Sequence, residues 1–198
     1  MFLKNKSFFF YFLSIIFFLF SNKIHSEEND KIKIINYLES LQNFSASFLQ
    51  KSGEGLSEGK VYIGKKRVRA EYLLPTKILI ILDQDRAMYY NYELEEDEFF
   101  NPKNTNAWFF YDIFRNPLFF ENAKIEFENN QLILKKEGVD IEEKHYFIRV
   151  YFENNPLVLR KVDLWINKEL MTLSIYNHNY NEEFNKDLFK LINPKLLN

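Results

Sequence analysis

"GKVYIGKKRVRAEYLLP", Gly59–Pro75, packs four basic residues into the five positions Lys65–Arg69 and then runs on as an apolar strand. Side chains alternate across a strand, so Lys65, Arg67, Arg69 and Glu71 share one face, and Lys66, Val68, Ala70 and Tyr72 share the other. Read this way, the basic cluster is a solvated outer face and Val68, Ala70 and Tyr72 look into a core. The stretch predicts one strand, Lys60–Gly64, leading into another, Lys66–Tyr72.

The flanks continue the pattern. Before it, Ile34, Ile35, Leu38 and Leu41 recur at helical spacing within residues 29–42, with Asn29 or Asp30 available as a cap. In "NFSASFLQ", Phe44, Ala46 and Phe48 then alternate with serines, the mark of a half-buried strand. "SGEGLSEG" reads as a glycine-bearing loop. After Pro75 come "TKILIIL", "AMYYNYEL", "EFF", "AKIEFE", "QLILKKE", "HYFIRVYF", "LVLRKVDLWIN" and "LMTLSIYNHN", with "ENNQ" and "ENNP" as turns between pairs of them. One segment breaks the run: "NTNAWFFYDIFRN" predicts a short helix with Trp108, Tyr111 and Phe114 on one side. The fold class is therefore mainly β with helices: an open, incomplete antiparallel β-barrel of about ten to eleven strands, with a helical lid over a hydrophobic cavity.

Residues 1–26 read as a signal peptide. Lys4 and Lys6 precede the fourteen-residue apolar stretch Ser7–Phe20, which is followed by a polar segment and an acidic one. A membrane span needs roughly 20 apolar residues, so an uncleaved anchor is the lesser alternative. Cleavage after Ser26 leaves 27–198 as a single domain with 23 basic and 28 acidic residues. That acidic balance argues against nucleic acid as a partner. With no cysteine, an exported chain is held by packing alone, and it cannot itself carry an acylated N-terminal cysteine. The expected location is the periplasm, as a soluble protein. Twenty-two Phe and twelve Tyr against five Gly point to an interior built from large rings.

Four stretches in order also resemble a known family, the periplasmic carriers of outer-membrane lipoproteins (LolA). They are "LESLQNFSASFLQ" with Phe44, Ala46, Phe48 and Gln50; "GKVYIGKKRVRAEYLLP" with Gly59, Tyr72 and Pro75; "ILDQDRAMYYNYELEE" with Asp83, Tyr90 and Asn91; and "DLFKLINP". The likeness covers residues 30–194, by order and spacing more than by any single motif. It implies an open β-barrel with a helical lid, whose cavity receives the acyl chains of lipoproteins. Such a carrier would act as a monomer, without cofactor, metal or covalent chemistry. Its implied partners are acylated lipoproteins, an inner-membrane ABC-type lipoprotein release complex and an outer-membrane lipoprotein receptor.

The rings expected to line that cavity are Phe44, Phe48, Tyr72, Tyr90, Trp108 and Phe110, with Ile113. In the family an Arg-Pro pair after the first cavity strand bonds the lid shut. Here the corresponding stretch is Gly64-Lys65-Lys66-Arg67, without proline, leaving Lys65, Lys66 and Arg67 all as gating candidates. Gln84 stands where the family has a turn glycine, and the family's middle helix is matched mainly by position and by Arg115-Asn116. An enzyme is not expected: beyond the signal peptide only His145 and His178 remain, with no nucleophile elbow, metal-ligand spacing or phosphate loop. The alternative of another class is a periplasmic sensor or adaptor that detects lipoproteins or lipids through the same cavity.

Overall fold

The structure, a computed structural model, describes residues 27–140 and 142–197. The expected signal peptide lies outside them. Helix α1 covers residues 27–40 and buries Ile34 and Leu38, with Leu41 just after it, while Ile35 is half-buried. Asn29 and Asp30 lie inside this helix rather than capping it.

Eleven strands follow: β1 (Phe44–Ser52), β2 (Gly55–Ile63), β3 (Val68–Leu74), β4 (Ile78–Leu82), β5 (Ala87–Asn91), β6 (Glu96–Phe100), β7 (Lys124–Glu128), β8 (Gln131–Val139), β9 (His145–Glu153), β10 (Val158–Ile166) and β11 (Glu169–Asn179). They form one antiparallel sheet in the order β6-β5-β4-β3-β2-β1-β11-β10-β9-β8-β7. The two edges, β6 and β7, do not pair, so the barrel stays open. They are also consecutive in sequence. The chain between them must cross from one edge to the other, and the crossing contains helix α2 (Ala107–Arg115). The lid is thus a consequence of topology.

Local chemistry sets the hairpins. Asn129 and Asn130 both adopt positive φ (49° and 63°), the pair of left-handed residues that a two-residue turn between twisted strands demands. The expected glycine loop after β1 shrinks to Gly53-Glu54, because Ser52 already pairs with Gly55. Gly53, at φ 57°, occupies the first turn position, where glycine avoids the Cβ penalty. Residues 55–59 are strand, not loop.

The outer face is where the parity reading needs correcting. Arg69 does point away from the concave side, but it is only 8% exposed. Leu79, Ile81, Met88 and Tyr90 form a second apolar cluster on that outer face, and such a stripe needs a cover. The segment 180–197 supplies it. Leu191 packs on this cluster, and Phe184 meets Tyr62 and Phe189 edge-on. Gly64 allows the Phe189 ring to sit against the backbone, since a Cβ there would lie 2.8 Å from it. Arg69 Nη1 donates to the Leu188 carbonyl (2.7 Å) and its Nε to Glu71 (2.7 Å). Arg67 Nη1 donates to the Phe189 carbonyl at 2.8 Å. Ser45 bonds Glu182, Asn193 donates to Asp97 at 2.9 Å, and Lys195 pairs with Glu95. Arg67 and Arg69 of the basic cluster therefore fasten the C-terminal segment to the sheet.

Just before this segment, near the end of β11, His178 bonds the Leu159 carbonyl through Nε2 at 2.7 Å and lies between Phe44 and Tyr180. Burial lowers its pKa below the ordinary 6.5; the Leu159 carbonyl acts in the opposite sense and nearby Arg160 adds to the lowering. A folded histidine that binds protons less tightly than the unfolded one stabilises fully above about pH 6.5, and that stability is lost as pH falls through the folded value. The melting temperature should fall between about pH 7.5 and pH 5, and by less in His178→Gln. An equal fall in both proteins would show that His178 does not contribute.

Candidate functional site

A cavity of about 180 Å³ lies between the concave face and α2. Its lining comes from alternate positions of five strands and one face of the helix. Register explains how. Phe48 on β1 pairs with Gly59 on β2, which pairs with Tyr72 on β3, so the three stand abreast on one face. Glycine in the middle leaves room for the flanking rings to close above it. A Cβ at Gly59 would lie 2.6 Å from Phe48 Cζ and also against the Glu71 carbonyl oxygen. The Phe48 and Tyr72 rings meet edge to face at 5.1 Å. The Tyr72 hydroxyl donates to Gln50 Oε1 at 2.8 Å, so its polar end is satisfied, and burial pushes its pKa up to about 12. Opposite, Ala107, Phe110 and Phe114 project from α2 at spacings of three and four, with Met171 and Leu173 closing the side.

Of the expected cavity residues, Phe48, Tyr72 and Phe110 meet here. The others lie elsewhere. Phe44 is fully buried under His178 and Tyr180, with ring centroids 5.8 and 5.2 Å away. Trp108 stacks on Phe109 at 3.8 Å and meets Phe119 and Tyr146 edge-on, on another side of α2. Ile113 borders a second, larger cleft. Tyr90 is on the outer face: it pairs with Leu79, whose neighbour Ile80 lines the cavity. Both faces of β5 are apolar, so alternation alone could not say which of Tyr89 and Tyr90 points inward. The expected helix face is also shifted, as α2 buries Phe109, Ile113 and Phe114 most deeply. Val61, Val68, Ala70, Ile80 and Leu82 complete the lining. Val68 and Ala70 were visible in the parity of the opening stretch.

The second cleft, about 700 Å³, opens between the C-terminal end of α1, the turn Gly64–Arg67, the turn Asp83–Arg86 and the C-terminal half of α2. Lys65, Lys66, Arg67 and Arg115 line it, with Glu39 and Asp83 as the acids. Arg67 Nε donates to Asp83 Oδ2 at 2.7 Å. Burial would raise the Asp83 pKa, but the bonds from Arg67 and the Gln84 N–H outweigh it and hold the carboxyl below its usual value. Among the described residues, neither Lys65 nor Lys66 makes an ion pair or hydrogen bond, and Arg67 serves the C-terminal segment; none of the three bonds a helix.

The guanidinium that joins the helices is Arg115. From α2 its Nη2 donates to the carbonyl of Leu41, just past the end of α1, at 2.7 Å and reaches the Leu38 carbonyl at 3.5 Å, which also accepts from the Leu41 N–H. Arg115→Ala should cost about 1–3 kcal/mol of stability, as loss of a charged, partly buried hydrogen bond does. It should also speed uptake of a fluorescent acyl probe by freeing α2. Uptake unchanged in a variant with lowered stability would mean that this bond does not restrain the lid.

Among the described residues no group of three or more His, Cys, Asp or Glu side chains is placed to hold a metal ion, and no helix is long and apolar enough to cross a membrane.

No family model matches the chain, and no curated protein matches it. Solved structures share the fold. An uncharacterised conserved protein of Thermus thermophilus superimposes with a TM-score of 0.56 at 10% identity, over 84% of this chain and 95% of that one. MucB superimposes with a TM-score of 0.52 at 10% identity, over 82% of this chain and 62% of that one. A MucA/MucB complex from Pseudomonas aeruginosa gives 0.48 at 9% identity, over 81% and 59%. This chain thus spans less than two thirds of the MucB chains. At such identities the likeness is one of fold.

Proposed function

We propose that this protein is a periplasmic carrier that takes the acyl chains of lipoproteins into the cavity beneath α2. It would receive them from an inner-membrane ABC-type release complex and deliver them to an outer-membrane receptor, acting as a monomer and without chemistry on the cargo. The observation that supports this most is the apolar pocket roofed by a helix that the topology forces across an open sheet. The four stretches that resemble the carrier family supply Phe48, Gly59 and Tyr72, the three residues that stand abreast in its wall.

The energetics fit a carrier. Each buried methylene contributes roughly 0.8 kcal/mol, so a few carbons already give useful affinity. The volume of about 180 Å³ is below the roughly 300–1,000 Å³ of ordinary ligand pockets. More chain enters only if α2 moves away from the sheet, and reclosure against Phe48 and Tyr72 drives release. Loading and unloading then share one motion.

Native mass spectrometry of the protein purified from a periplasmic extract tests the proposal. Co-isolation with several different acylated proteins is the expected result. A single non-acylated partner would point to a sensor instead, and an extract holding only empty protein after cross-linking would contradict the carrier role.

A further inference from the structure

The acyl-chain reading leaves the larger cleft unused. Its wall carries four cations and two acids in a chain whose formal net charge is −2, so its basic character is local. The charges differ in availability. Arg67 is held by Asp83 and the Phe189 carbonyl, and Arg115 by the end of α1. Yet Arg115 Nε is buried and has no hydrogen-bond partner. Lys65 and Lys66 are exposed and among the described residues make no ion pair, although the Lys66 charge acts on the Asp83 carboxylate across the cleft. This places two exposed ammonium groups over a concave site whose wall also carries the Arg115 guanidinium, a donor set suited to an anion with several oxygens.

The cleft also adjoins the apolar cavity. Phe114 lines both, so the two meet at its ring. A molecule with a chain in one and a charged head in the other would pass along α2, around Phe114. We propose that the site takes an anionic amphiphile: one acyl chain beneath α2, and a phosphate or carboxylate head between Lys65, Lys66 and Arg115. This rests on the acyl-chain reading and adds to it the charge class of the ligand.

Three probes separate the parts: a lysophosphatidic acid, the monoacylglycerol of the same chain, and glycerol 3-phosphate, each titrated below its micelle concentration. The lysophosphatidic acid should bind roughly tenfold tighter than the monoacylglycerol, and that advantage should shrink with added salt. In Lys65→Gln/Lys66→Gln, whose altered side chains are exposed and make no ion pair, the advantage should disappear while monoacylglycerol binding stays the same. Equal binding of the two amphiphiles by the unaltered protein would overturn the anionic head site and leave the chain cavity standing. Binding of glycerol 3-phosphate as tight as that of the lysophosphatidic acid would also overturn it, since the chain would then add nothing. If neither amphiphile binds, the acyl-chain reading itself falls, and this inference with it.

Discussion

Tyr72→Glu should lower affinity for an acyl-chain probe by about a hundredfold while the protein still folds. The ring is half of the edge-to-face pair above Gly59, and its hydroxyl is already spent on Gln50. A carboxylate there has no cationic partner on the cavity wall, whose other residues are apolar apart from Gln50 and Asn106. Leaving it unpaired beside a bound chain costs several kcal/mol, and the empty protein avoids that cost by admitting water. Binding therefore suffers more than stability. Trp108→Glu should behave in the opposite way. That ring is packed among Phe109, Phe119 and Tyr146, so the charge would disrupt the packing that seats α2, and melting should collapse first. Thermal melts and probe titrations on both variants check this. A Tyr72→Glu protein that stays folded and binds normally would remove Tyr72 from the site.

Gly59→Ala should destabilise the fold by about 3 kcal/mol, near the upper end for an overpacked core position. The added methyl would press on the Glu71 carbonyl oxygen, which belongs to the neighbouring strand's backbone, and on the Phe48 ring at 2.6 Å. A side chain can swing aside; a ladder carbonyl cannot without breaking register between β2 and β3. Chemical denaturation of the variant provides the check. A loss below about 1 kcal/mol would show that the sheet bends freely at this point and that the wall is not rigid.

How much of this could be read from the amino-acid sequence differs by element. The strands from Phe44 to Asn179 were legible because alternation and turn residues such as Asn129-Asn130 act locally. The lid helix was legible as a break in alternation. Tyr90 was misplaced because β4 and β5 are apolar on both faces, and only the segment 180–197 covering Leu79 and Met88 makes that sensible. The basic cluster was misread for the same reason: Arg69 looks solvated until Leu188 is laid across it. Contacts between residues more than a hundred positions apart leave no trace in local spacing. Arg115 was seen as a landmark but not as the clasp, since its acceptors are backbone carbonyls, which no residue type announces.

The central claim is that an acyl chain lies between the sheet and α2. The most direct measurement uses a fatty-acyl probe with a photoactivatable carbene source at the chain end, irradiated in complex with the protein and mapped by peptide sequencing. The account predicts label on the cavity wall, at Phe48, Tyr72, Phe110 or Met171, and its loss in Tyr72→Glu. Label confined to the outer face around Leu191 and Tyr90, or label unaffected by Tyr72→Glu, would contradict it.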